Sequence, residues 1–200
     1  MKKQLEVLSS LQEINTYIIK EGKFTIRELC YHSVNNNLLF TIRDFKTTFK
    51  HQILGVISMF TNTNILTKQQ FIAHSSEEKE LFTIIRNRGL NDHFSIYCQE
   101  EKIAEIKGST KLKFNLNVTL NNRNLGTVTG GSGWWTFDSP EGKRYIDYKK
   151  DSYIPEYKHS GKFLGPSVLK VSNMRENVEL MIISLALPYI IEIIYLNQQT

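Results

Sequence analysis

Residues 173–200 read NMRENVELMIISLALPYIIEIIYLNQQT, and where this segment ends up decides the fold. From Leu180 to Leu196 nearly every side chain is apolar, so a helix built from it has no wet face and must be covered on all sides by protein or by lipid. Asn173 followed three residues later by Glu176 predicts its start as a capping box, the two side chains taking amide donors that a first turn leaves free. Seventeen residues at 1.5 Å each make a rod of about 25 Å, slightly short of a hydrocarbon core of about 30 Å. The exceptions Ser184, Pro188 and Glu192 fall four apart on one stripe. A carboxylate in mid-bilayer is expensive. Inside a protein it can meet a backbone donor or a lysine, while Pro188 leaves the carbonyl of Ser184 for another donor. The favoured reading is a helix enclosed by strands of its own chain; a C-terminal membrane anchor is the alternative.

Strands to enclose it are written upstream. After Phe24 come FTIREL, LLFTIRDF, LFTIIRN and FSIYCQ, short runs of Phe, Ile, Thr and Tyr bounded by Asn, Asp and Gly. Between Phe94 and Tyr148, aromatic residues open strands at Phe94, Phe114 and Trp134. Each opens a hairpin: FSIYC and IAEIKG across QEEK, FNLNVTL and LGTVTGG across NNRN, WWTF and KRYIDY across DSPEG. Such a meander predicts a twisted sheet that closes into an antiparallel barrel, mainly β in class, around the C-terminal helix. At the N-terminus, Leu5, Leu8, Leu11, Ile14 and Ile18 have helical spacing, although Tyr17, Ile18 and Ile19 also suit a strand. The organisation expected is one domain over 1–200, with 1–16 a helical extension and 173–197 the buried helix.

The cluster TGGSGWW, residues 129–135, invites a phosphate-loop reading that its context rejects. Phosphate loops present backbone amides at a helix start, whereas Gly130, Gly131 and Gly133 lead into strand-like WWTF. No Gly-Lys-Ser/Thr ending and no G-x-G-x-x-G follows, and Ser132 has Trp134 where a nucleophile elbow needs glycine. The glycines are read as a barrel corner, supplying positive φ or room for close backbone approach.

The composition, 40% hydrophobic and 22% charged in 200 residues, is that of a globular domain with a sizeable core. Two cysteines, Cys30 and Cys98, make no disulfide framework and are expected as reduced thiols in a cytoplasm. The start MKKQLEVLSSLQEIN has no signal-peptide h-region. His32, His51, His74, His93 and His159 lack metal spacings, so neither metal nor cofactor is expected. Cys30 with His32, or His93 with Cys98, sketches a thiol–imidazole pair without a third group to orient the base. The carboxylate pairs Glu100–Glu101 and Asp147–Asp151 lie in charged or turn-like surroundings unsuited to acid–base work. A non-enzymatic protein is expected.

The net charge of +5 admits an anionic partner, nucleic acid or lipid headgroups, but Lys and Arg alternate with Asp and Glu nearly throughout, so a solvated surface with a slight basic excess is the favoured reading. Two basic groups stand out: Lys107, Lys111 and Lys113, and Lys143, Arg144, Lys149 and Lys150. Were their hairpins neighbours in a barrel, they would merge into one cationic rim. Of the pair Trp134–Trp135, strand alternation sends one ring to the core and the other towards solvent, a membrane interface or a partner; both rings packed at the rim is the plainer alternative. No RNP or helix-turn-helix signature marks a nucleic-acid binder.

The turns EEKIAEIKG and NNRNLGTVTGG and the tail MIISLALPYIIEIIY together resemble the tubby C-terminal-like superfamily, which includes the phospholipid scramblases and the LURP-one-related proteins. The resemblance runs from Ile18 to Leu196. Pro188 departs from the family's closing helix, and Thr61 to Ser76 has no counterpart. It implies a barrel of about a dozen strands wrapped round the helix. It further implies a cationic rim for phosphoinositide or another anionic headgroup, hence a cytoplasmic protein that meets a membrane surface. A protein-interaction role, as of an immunity or regulatory partner, and scramblase-like lipid handling are the alternatives.

Overall fold

A computed structural model describes residues 2–21, 28–44, 69–87, 92–110, 114–131, 133–150, 167–172 and 177–198. Helix α1 (Lys2–Gln12) is followed by β1 (Thr16–Glu21), β2 (Glu28–His32), β3 (Leu38–Asp44), β4 (Gln69–Ser75), β5 (Glu80–Asn87) and β6 (Asp92–Cys98). Then come β7 (Glu101–Thr110), β8 (Phe114–Leu120), β9 (Arg123–Gly131), β10 (Trp134–Asp138), β11 (Arg144–Lys149), β12 (Ser167–Val171) and the C-terminal helix α2 (Val178–Gln198). Each strand pairs antiparallel with its sequence neighbours, and β1 pairs with β12, closing a twelve-stranded barrel. Closure leaves no edge to aggregate.

Alternation decides which side chains enter the barrel. Cross-strand register lines up Tyr17, Leu169, Tyr148 and Trp135 in one row, and Leu116, Val128, Phe137 and Ile146 in the next. Further round, Phe71, Ile84, Ile96 and Ala104 form another row, beside Phe94, Ile106 and Val118. All are buried in one core with the α2 residues Leu180 to Ile183, Leu185 to Leu187, Tyr189 to Ile191, Ile193 and Ile194. Eight strands leave room only for side chains; twelve enclose a helix about 10 Å across. The apolar rod is therefore covered by its own chain. Among the described residues, no helix is long and apolar enough to cross a membrane.

Because consecutive strands are antiparallel, the connections sort to two rims. Even strands pass to odd ones at the lower rim through tight turns. Gln99 and Glu100, and Asn121 and Asn122, have positive φ at both central positions, the two-residue turn that matches strand twist. Three other lower turns share a device: Ser33, Ser75 and Ser139 each accept, at the backbone carbonyl, the amide three residues on, and at Oγ, the amide four residues on. The residue in left-handed φ is Asn36, Glu78 or Gly142. Odd strands pass to even ones at the upper rim.

Helix α1 lies at the lower rim with Leu8 and Leu11 in the core, and its C-terminal carbonyl at Leu11 accepts the hydroxyl of Tyr17 at 2.7 Å. The helical spacing thus stops at Gln12; Ile18, read into the same stripe, sits on β1. Strand β4 falls in the Thr61–Ser76 stretch that had no expected counterpart. The capping box at Asn173 and Glu176 lies outside the described residues. The cap observed is Asn177, whose Oδ1 accepts the amide of Leu180 at 2.8 Å.

From that cap α2 runs towards the upper rim, Leu185 meeting Tyr31 and Tyr189 meeting Phe71 edge-on at 5.1 Å between ring centres. Pro188 has no amide to offer the carbonyl of Ser184, but the side-chain donor observed goes to the next residue: the hydroxyl of Tyr31 bonds the carbonyl of Leu185 at 2.8 Å. Ser184 itself is fully buried, whereas Glu192 is partly exposed and makes no ion pair among the described residues. Tyr31 is stacked on Phe40 at 4.2 Å. Tyr31→Phe keeps that stack and removes only the donor, so it should lower stability by about 1–3 kcal/mol, read from urea denaturation midpoints.

Candidate functional site

The cations singled out in the sequence do not form one cluster. Arg144 and Lys149 begin and end the extended strand β11, five residues and about 16 Å apart. Lys143 and Arg144 therefore stand at the lower rim, and Lys149 and Lys150 at the upper. Lys107 is on the outer wall of β7, in register with Asn117 of β8. Lys111 and Lys113 lie outside the described residues. The single merged rim is thus not what the strand directions give.

The cations differ as much in partners as in place. Lys107 Nζ is 2.7 Å from Glu105 Oε2, and Lys102 Nζ is 2.6 Å from Oε1 of the same carboxylate. Hydrogen bonds from Lys102 and then Lys107 pull the Glu105 carboxyl down to about 2. Arg144 holds Asp138 at 2.9 Å through Nε, and Arg43 pairs with Glu78. Lys143, Lys149 and Lys150 are exposed and have no ion pair among the described residues.

The tryptophan pair splits as alternation requires. Trp135 is 1% exposed and stacks on Tyr148 at 4.9 Å, while Trp134 is 59% exposed. The alternative of two packed rings is therefore excluded. On the outer face Trp134 pairs in register with Lys149 on one side and Gly131 on the other. The amide of Lys150 donates to the carbonyl of Gly133 at 2.8 Å, tying the end of β11 to the β9–β10 turn. The upper rim thus carries an exposed indole beside two ammonium groups that have no ion pair among the described residues.

Neither of the two sketched thiol–imidazole pairs is built. Cys30 is raised by burial, then by Glu28, and His32 is lowered chiefly by burial. A thiolate–imidazolium pair would move both the other way. His93 and Cys98 lie near opposite ends of β6, and Cys98 is also raised by burial. Both thiols are free, and strands β2 and β6 stand four strand spacings apart, about 19 Å round the wall, so no bridge can join them. In the native protein at neutral pH, a chromogenic disulfide reagent should modify both thiols at least about tenfold more slowly than in the denatured chain. Among the described residues, no group of three or more His, Cys, Asp or Glu could hold a metal ion.

No protein-family model, no curated protein and no solved structure matches the chain.

Proposed function

We propose that the protein is a non-enzymatic binding module that docks on anionic phospholipid surfaces. The observation that carries this reading is the upper-rim group of exposed Trp134 with exposed Lys149 and Lys150, which have no ion pair among the described residues. An indole suits the interface between headgroups and acyl chains, and each nearby lysine adds about 1 kcal/mol against an anionic leaflet. The sequence resemblance to tubby-like domains supports the same role, as does the barrel with its enclosed helix. Docking is preferred to scramblase-like lipid movement, because movement would require α2 to leave a core in which twelve strands cover it. A protein partner using Trp134 as its anchor is the second reading, favoured by the exposure of that ring. One stoichiometric partner co-purifying from the native host would support it.

The test is flotation with vesicles of phosphatidylcholine alone or mixed with phosphatidylserine. Binding is expected only with phosphatidylserine and should fall steeply as salt shortens the Debye length from about 10 Å at 0.1 M to about 3 Å at 1 M. Absence of binding to the acidic vesicles at low salt would remove the proposal.

A further inference from the structure

Among the described residues, four side-chain polar atoms are buried without a hydrogen-bond partner. Two belong to the partly exposed rings of His74 and His93. The other two, Trp135 Nε1 and Ser184 Oγ, lie in the barrel core on residues 1% and 0% exposed. Other buried polar side chains differ: Ser75, Thr83, Ser95, Thr136 and Ser139 each hydrogen-bond through the side-chain oxygen. A donor left dry in a core forfeits the water it bonded in the unfolded chain, so native proteins nearly always supply a partner.

Local geometry explains why the fold itself serves neither atom. The Trp135 ring is stacked on Tyr148 with 15° between the planes. An indole N–H lies in the plane of its own ring, so it points past the Tyr148 face and not at it. A serine inside a helix can return its hydroxyl to the carbonyl four residues back, but Ser184 makes no such bond. One turn further on, Pro188 withholds the amide that the Ser184 carbonyl would ordinarily accept. The hydroxyl of Tyr31 is given to Leu185, the next residue. Burial, and then the phenols of Tyr148 and Tyr189, push the Tyr31 hydroxyl well above the usual phenol range, so hydroxyls from β2, β11 and α2 share one neighbourhood of the core.

We infer that the core binds small neutral hydrogen-bonding molecules at two places, one accepting from Trp135 Nε1 and one bonded to Ser184 Oγ. This is independent of the membrane-surface reading. The chemical class follows from the surroundings. Among the described residues no Asp, Glu, Lys or Arg is buried, so an ion there would be uncompensated. An apolar guest would leave both donors dry. Water is the smallest molecule that qualifies; a small polar solute enclosed as the barrel closes is the other source of the same chemistry.

Nuclear magnetic resonance on the isotope-labelled full chain tests the indole site, with Trp134→Phe assigning the remaining indole signal to Trp135. That indole proton should show a through-space cross-peak to water, or to a resonance of neither protein nor water that is matched by a small molecule released on denaturation and seen by mass spectrometry. The first result identifies water and the second a solute. Tyr148→Phe keeps the stacked ring and removes a hydroxyl that could relay exchange, and the cross-peak should survive it. At the helix, Ser184→Ala should lower the Tm by about 2–4 °C as the guest loses its anchor. Ser184→Cys, similar in volume but a weak hydrogen-bonding group, should lose about as much. Absence of any cross-peak, or its loss in Tyr148→Phe, overturns the site at Trp135. A Tm that is unchanged or raised in Ser184→Ala, as removal of a dry hydroxyl would give, or one that Ser184→Cys restores, overturns the site at Ser184.

Discussion

Ending the chain after Asn177 should abolish the folded state rather than trim it. Ten aliphatic or Met side chains of α2, Leu180, Met181, Ile182, Ile183, Leu185, Leu187, Ile190, Ile191, Ile193 and Ile194, are each at most 5% exposed. At about 1.5 kcal/mol apiece, the low end for a fully buried side chain, they contribute about 15 kcal/mol, as much as the whole net stability of a typical domain, about 5–15 kcal/mol. Without them Tyr31, Phe40, Phe71 and Phe94 would line a lumen open to water. The truncated chain should elute at an expanded volume, lose cooperative thermal unfolding and be digested rapidly by a broad-specificity protease. A compact, cooperatively melting product would mean that the barrel is self-sufficient and that α2 is an accessory. A finer variant, Ile190→Lys, keeps the helix and places an unpaired ammonium at a position with no exposed surface. It should cost upwards of about 4 kcal/mol, since an uncompensated buried charge is among the most damaging single changes.

The enclosed helix was legible because an all-round apolar rod has few places to go, and sequence alone left only barrel and bilayer. The hairpins from Phe94 to Tyr148 were legible for a related reason. Two of the three turns carry Asn, Gly or Pro where the backbone is demanding, the third takes positive φ at Gln99 and Glu100, and the strands fall within a residue or two of their predicted bounds. Strands β4 and β12 escaped notice. QQFIAHS and SVLKV are short, each buries a residue on its outer face, Ile72 and Val168, and so neither shows clean alternation. Local pattern cannot reveal a strand that buries residues on both faces.

The candidate site was half legible. Alternation alone predicts that one of Trp134 and Trp135 points out, and the structure supplies which. The grouping of cations failed because closeness in sequence is not closeness in space along an extended strand: Arg144 and Lys149 are neighbours on paper and belong to opposite rims. The signal that was available, and is used above, is strand parity. Once a barrel of consecutive antiparallel hairpins is granted, counting strands sends the two ends of each strand, and so Arg144 and Lys149, to opposite rims.

Within the glycine cluster that first invited a phosphate-loop reading, substitution should separate one indispensable glycine from its neighbours. Gly130 has φ +151°, and a Cβ there would lie 2.5 Å from the carbonyl oxygen of Trp134 and 2.6 Å from both Cα and Cβ of Trp135. Those atoms are backbone, or are anchored by a buried ring stacked on Tyr148, so β10 would have to move away from β9 to admit a methyl group. A Cβ on Gly131 or Gly133 meets nothing within 4 Å. The close approach read for the cluster as a whole thus belongs to Gly130. Gly130→Ala should cost about 2–4 kcal/mol, or about 5–15 °C in Tm for a chain of this length, and Gly130→Val should prevent folding at ordinary temperatures. Gly131→Ala should change stability by no more than about 0.5–1 kcal/mol, with stabilisation the favoured sign because the unfolded chain loses freedom. Differential scanning calorimetry of the three variants reads the contrast directly. Equal losses at Gly130 and Gly131 would mean that β9 and β10 do not pair in this register, and that Trp134 is not held on the outer face where the proposed contact needs it.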